Sequence, residues 1–106
     1  MTLEITEENY LELIENNTQP IILDFLAQRC GPCKIIAPYF DELAVKYENE
    51  VTIGKIDVDS NQDLAYKFGI RSIPTVLFIN NGTVVDKQIG ATSKKALEDR
   101  LRAKLL

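Results

Sequence analysis

The sequence predicts an α/β protein in which a central mixed β-sheet is flanked by helices, in the order β-α-β-α-β-α-β-β-α. Three observations predict it. Ile21 to Ala27 is nearly continuous in apolar side chains, as a parallel strand covered on both faces should be. Segments of helical period alternate with strand-like segments along the chain. Near the C-terminus, Asn81-Gly82 stands between two strand-like runs and is the preferred pair of a tight hairpin turn. At 106 residues the chain is expected to be one domain, 1–106, able to bury roughly two-thirds of its unfolded surface in a single core.

The first strand of this order precedes Thr6. That residue is a good N-cap, with Glu7 and Glu8 in the first turn and Ile5 and Tyr10 at the positions of a hydrophobic staple. Tyr10, Leu13 and Ile14 form the face this first helix should bury. Ile21 to Ala27 is the candidate central strand. From Cys33 to about Glu48, the residues Ile36, Phe40, Leu43 and Tyr47 fall on one side, predicting an amphipathic helix kinked by Pro38. Val51 to Val58 alternates as a strand does. Ser60 followed by Asp63 opens a short helix ending near Phe68-Gly69, where glycine takes the left-handed cap. Thr75 to Ile79 and Thr83 to Ile89 flank the Asn81-Gly82 turn and close the sheet with antiparallel strands. Ser93 caps a last helix with Leu97, Leu101 and Leu105 on one face.

Composition narrows the function. Hydrophobic residues make up 45% and charged residues 26%, which excludes a fibrous or natively unfolded chain. Twelve Lys and Arg stand against sixteen Asp and Glu, a net charge of -4, the wrong sign for coating nucleic acid or an anionic membrane. Apolar runs such as Thr75 to Ile79 fall far short of the roughly 20 residues that span a bilayer. The first residues lack the basic and apolar regions of a secretory signal, so a cytoplasmic location is expected. Five Glu in residues 1–20 and six Lys or Arg in residues 87–106 read as solvated helix faces. With two cysteines and no histidine, neither a zinc site of the usual four-ligand kind within one chain nor imidazole chemistry is available. In a reducing compartment, two such cysteines point to catalysis rather than structure.

Cys30-Gly31-Pro32-Cys33 is the strongest signal. Two intervening residues let the sulfurs approach disulfide distance within one turn, and Cys30 faces the unsatisfied N–H groups of a helix N-terminus, which favour a thiolate. Pro32 needs no donor this early in the helix, and Gly31 leaves Cys30 open to a bulky partner. Cys33, one turn further in, should be shielded. An exposed acidic thiol beside a buried one suits two-step thiol–disulfide exchange, in which the first attacks and the second resolves. A chance pair, or half of a zinc site shared between chains, is the alternative reading of the same four residues.

Several separated pieces then occur in one order: Asp24-Phe25, Cys30-Gly31-Pro32-Cys33-Lys34, Ala37-Pro38, Lys55-Ile56-Asp57-Val58-Asp59, Gly69-Ile70-Arg71-Ser72-Ile73-Pro74-Thr75, Asn81-Gly82 and Gly90-Ala91. On these the sequence resembles the thioredoxin family over essentially its whole length. Thioredoxins are themselves a standing case of a tuned CxxC thiol. The resemblance implies a thioredoxin fold and a protein-disulfide reductase working through Cys30 and Cys33. It implies thioredoxin reductase and disulfide-containing proteins as partners, NADPH used only through the reductase, no bound cofactor, and a monomer.

Residue roles follow from the same resemblance. Pro74 resembles the family's cis-proline, with the Ile73 backbone placed to pair with an extended substrate; a plain proline at a strand start is the alternative. Asp24, the one charge in an apolar strand, should have a raised pKa and could accept the proton that Cys33 must lose. Lys55 resembles the lysine near this carboxyl and would oppose that rise. Gly31, Pro32, Val58, Ile73, Pro74, Ile89, Gly90 and Ala91 resemble the apolar docking rim, although each alone fits core or turn.

One departure stands out. Family members typically read Asp-Phe-Trp-Ala-x-Trp before the cysteines, whereas this chain reads Asp24-Phe25-Leu26-Ala27-Gln28-Arg29 and has no Trp. Leu26 should mainly alter packing. Arg29 places a cation beside the nucleophile, which is expected to stabilise the Cys30 thiolate and make the couple more oxidising. A non-catalytic binding module, or a disulfide oxidase or isomerase, are the competing functions.

Overall fold

The computed structural model describes residues 2–106 and contains one five-stranded mixed sheet. Its strands are β1 (Leu3–Glu4), β2 (Ile21–Leu26), β3 (Thr52–Asp57), β4 (Thr75–Asn80) and β5 (Thr83–Ile89), in spatial order β1-β3-β2-β4-β5. β1, β3 and β2 run parallel, while β4 and β5 are antiparallel to their neighbours. The apolar run of β2 is therefore explained by its place: it is the middle strand, and its first five residues are all buried.

Alternation along β2 divides the core. Ile22 faces a cluster with Ile36, Phe40 and Leu43 of α1 (Gly31–Lys46) and Leu97, Leu101 and Leu105 of α3 (Lys94–Leu105). Ile21, Leu23 and Phe25 face the other cluster, with Ile5, Ile14, Ile56, Leu64 and Leu77. Asp24 shares the α1 side with Ile22 because residues two apart on a strand point the same way. The helix runs through Pro38 as one element. Tyr47, just past its end, donates a 2.6 Å hydrogen bond to Glu98 and so ties α1 to α3.

The hairpin expectation holds in detail. Asn81 and Gly82 both have positive φ, 53° and 77°, and Asn80 pairs with Thr83. That conformation belongs to the mirror-image turns whose twist matches the flanking strands. The register slips between Phe78 and Ile79, a bulge that the alternation of β5 does not announce. Gly69 also takes a left-handed φ, 66°. It ends α2 (Gln62–Lys67) with paired bonds, Gly69 N–H to the Tyr66 carbonyl and Ile70 N–H to that of Ala65. Ser93 caps α3 by accepting the Ala96 N–H.

Two expectations about helix starts are corrected. Thr6 does form a reciprocal cap, accepting from Asn9 N–H while Asn9 Oδ1 accepts from Thr6 N–H. The winding that follows is a turn and then a π-helical segment, Leu11–Glu15, with Asn16 N–H bonded to the Leu11 carbonyl. A segment this short has little helical stability of its own, so its packing through Ile14 and the half-buried Tyr10 and Leu13 sets the winding. At α2 the flanking residue is Asn61 rather than Ser60. Its buried amide bridges Asp57 O and Glu7 N–H, and the cap is supplied from a distance, by Glu7 accepting the Asp63 N–H at 2.8 Å. No helix among the described residues is long and apolar enough to cross a membrane.

Candidate active site

The site lies where β2 hands over to α1. Cys30 is the N-cap of α1, in extended backbone, and Cys33 sits in its first turn. The two are joined by a disulfide with their Cα atoms 5.3 Å apart, and the Cys33 N–H donates to Cys30 Sγ at 3.2 Å. Helix geometry therefore directs an unsatisfied backbone donor at the first sulfur. Pro32 occupies a position in the first turn where the missing N–H costs nothing, and Gly31 beside it is exposed with open space around its Cα.

The expected contrast in exposure between the sulfurs is smaller than anticipated. Cys33 is 3% exposed, and Cys30 is itself only 8% exposed. Both pack with Ala27, against Leu26, Val58 and Ile73. Bonded to each other and packed in this apolar surround, the two residues show solvent little of either. Leu26 contributes to that packing.

Cys33 heads the buried stripe of α1, continued by Ile36, Phe40, Leu43 and Ala44. That stripe covers the sheet face to which Asp24 belongs. Asp24 is 2% exposed, and its Oδ1 has no hydrogen-bond partner among the described residues. Burial pushes its carboxyl up from 3.8 to about 7, with the nearby Lys55 cation pulling the other way. Lys55 is the register partner of Asp24 on β3 and is exposed. A cleft of about 390 Å³ opens between the start of α1 and the C-terminal part of β3, and its lining includes Cys33, Lys34, Ala37, Leu26, Lys55 and Asp57. Through it Cys33 and Lys55 line one open space.

The other side of the disulfide is built from loops. The Ile73-Pro74 peptide is cis, and Pro74 is buried. Gly90, with φ 87°, donates its N–H to the Pro74 carbonyl at 2.8 Å, and Ile89 pairs with Thr75, so the β5 end is drawn beside Pro74. Ile89 is 62% exposed and Ala91 is also exposed. Val58 is held by its N–H to the Leu26 carbonyl. Thus Val58 and Ile73 touch the cysteine cluster, Gly31 and Pro32 frame it, and Ile89, Gly90 and Ala91 adjoin it through Pro74. The Ile73 N–H and carbonyl make no hydrogen bond among the described residues, leaving a short free edge.

Arg29 makes an ion pair that its place beside Cys30 in the sequence does not announce. Its guanidinium lies 3.4 Å from the Asp59 carboxylate, both side chains being more than half exposed. A carboxylate so placed offsets part of the positive charge that Cys30 was expected to feel. Sequence reasoning passed over Asp59, and over Arg71, which lines a groove with Arg29, Val58 and Ile73. Both stood inside the quoted motifs, but their convergence depends on loops that only the folded chain brings together. Among the described residues, no group of three or more Cys, Asp or Glu side chains is placed to hold a metal ion.

A bridged cysteine pair capping a helix, with a buried carboxyl below and an unpaired backbone edge beside it, is the apparatus of a thiol–disulfide oxidoreductase. The sequence model of the thioredoxin family matches residues 1–103. The chain is 48% identical over 95 residues to a thioredoxin of Haemophilus influenzae, covering 90% of this chain and 89% of that one. It is 40% identical over 99 residues to a thioredoxin of Buchnera aphidicola, covering 93% and 92%. Over 97 residues it is 37% identical to a bifunctional thioredoxin reductase/thioredoxin of Mycobacterium leprae, covering 92% of this chain and 21% of that protein. The chain belongs to the thioredoxin family, and it is a protein-disulfide reductase of the kind that carries no prosthetic group.

Proposed function

We propose that Cys30 is the attacking thiol and Cys33 the resolving one in a dithiol cycle that reduces protein disulfides. The observation that carries this assignment is the Cys33 N–H directed at Cys30 Sγ from the first turn of α1. The Cys30 thiolate attacks one sulfur of a target disulfide, forming a mixed disulfide and releasing the other target sulfur as a thiolate. Cys33 then loses its proton, its sulfur attacks Cys30, and the second target thiolate leaves. Two electrons pass to the target, and the Cys30–Cys33 disulfide is the oxidised product.

Asp24 is the proton acceptor for Cys33 in this reading, supported by its burial on the face beneath α1, its unpartnered Oδ1 and its raised pKa. Lys55 holds that carboxyl titratable near neutral pH. The rim of Gly31, Pro32, Val58, Pro74, Ile89, Gly90 and Ala91 receives the target, and the free edge at Ile73 pairs with its extended backbone. Electrons return from thioredoxin reductase at the expense of NADPH; a reductase and a thioredoxin named in one chain in the Mycobacterium leprae relative support this partner. We place this activity in one domain acting as a monomer in the cytoplasm, since dithiol chemistry suits a reducing compartment.

Incubation with a disulfide-linked peptide, quenched with acid and read by mass, tests the order of attack. Cys33→Ser should accumulate a mixed disulfide on Cys30, and Cys30→Ser should form none. An adduct on Cys33 instead would reverse the assignment.

A further inference from the structure

Beside the disulfide, a groove of about 230 Å³ is lined by the apolar Val58, Ala65, Ile70 and Ile73 together with Ser72, Arg29 and Arg71. Val58 and Ile73 also pack against the cysteine cluster, so the groove and the disulfide share a wall. No acidic side chain lines it. The nearest counter-charge named by the structure is Asp59, 3.4 Å from one nitrogen of Arg29. That separation is long for a charge-assisted bond, which is ordinarily about 2.7–2.9 Å, and most of the guanidinium donors stay free. Arg71 is exposed and makes no ion pair among the described residues. Two under-compensated cations thus converge beside the reactive bond of a chain whose net charge is -4.

An apolar lining that also carries two guanidinium groups suits a short side chain that ends in a carboxylate: its methylenes lie against the apolar side chains and its oxygens accept N–H bonds from the guanidinium groups. The neighbouring free edge at Ile73 would hold a target in extended form, which sends alternate side chains toward the same face. On the reductase reading above, we propose that this groove is a specificity subsite selecting target disulfides with Glu or Asp within a few residues of the attacked cysteine. Arg29 and Arg71 are its specificity-determining residues. Asp59 competes with the target carboxylate for Arg29.

The test uses reduced protein and disulfide-linked peptides that are identical except for Glu, Gln or Lys two residues from the cysteine. The readout is the ratio of second-order reduction rates, so that any general loss of activity cancels. The Glu peptide should be preferred over Gln by about threefold to tenfold at low salt, the range of one or two exposed ion pairs, and the preference should fade as salt rises. R71Q and R29Q should each lower the ratio, their combination should bring it to about one, D59N should raise it, and R71E should favour the Lys peptide. Equal rates for the three peptides, or a Glu preference that survives the double substitution, would overturn the subsite while leaving the reductase intact. Failure to reduce any peptide would overturn the reductase reading and the subsite with it.

Discussion

Asp24 and Lys55 face each other across neighbouring parallel strands, yet the carboxylate is sealed at 2% exposure while the ammonium stem reaches solvent. Their pairing is unequal: desolvation of the buried partner outweighs the attraction of the exposed one, and the carboxyl titrates at about 7 instead of 3.8. The fold thereby maintains a carboxylic acid that loses its proton in the range where thiols exchange.

That arrangement costs stability, with a definite sign. The folded carboxyl binds its proton more tightly than the unfolded one, so the protein should become less stable as pH rises from about 4 to about 7, with the penalty complete above that. At about 1.36 kcal/mol per pH decade, the upper bound is about 4 kcal/mol. Asp24→Asn should therefore stabilise the disulfide form at pH 8 by up to about 4 kcal/mol and have little effect at pH 4. Urea unfolding at the two pH values, with the disulfide intact, checks it; an equal effect at both would mean the carboxyl is not titrating in this window.

Removing the opposing cation should act in the other direction from relieving burial. Lys55→Met is expected to raise the Asp24 pKa further, and Lys55→Glu more so. Carbon-detected NMR titration of the Asp24 carboxyl reads this without requiring turnover. The pH midpoint of mixed-disulfide resolution should move up with it.

The charge beside Cys30 is set by two residues rather than one. Arg29→Trp should raise the pH at which thiolate absorbance near 240 nm appears in the reduced protein, and Asp59→Asn should lower it by releasing Arg29 from its partner. If Asp59→Asn leaves that midpoint in place, the offset has no consequence at the sulfur.

Close packing elsewhere holds the sheet together. A Cβ on Gly54 would lie 2.6 Å from Ile5 Cγ1, a side chain that is fully buried. Gly54→Ala should cost about 1–3 kcal/mol through overpacking. In an Ile5→Ala background the same substitution should cost much less, a coupling that a double-mutant cycle of denaturant midpoints would measure.

Much of this protein could be read before it was folded. The apolar run of β2, the Asn81-Gly82 turn, the Gly69 end of α2 and the Ser93 cap are local features, each dictated by steric or hydrogen-bonding needs within a few residues, so sequence alone determined them. The cysteine pair at a helix start belongs to the same class, since its reach and its exposure to backbone N–H groups are matters of one turn. Where local preference was weak or a partner was remote, the tertiary structure decided. The winding of Leu11–Glu15 answers to packing, and the cap of α2 comes from Glu7, 56 residues away from the Asp63 it serves. The shielding of Cys30 depends on Ala27, Val58 and Ile73 closing around the disulfide. Arg29 shows the difference most directly: its position next to Cys30 is written in the chain, but its effective charge depends on Asp59, and electrostatic energy is set by separation in space and burial, neither of which sequence order records.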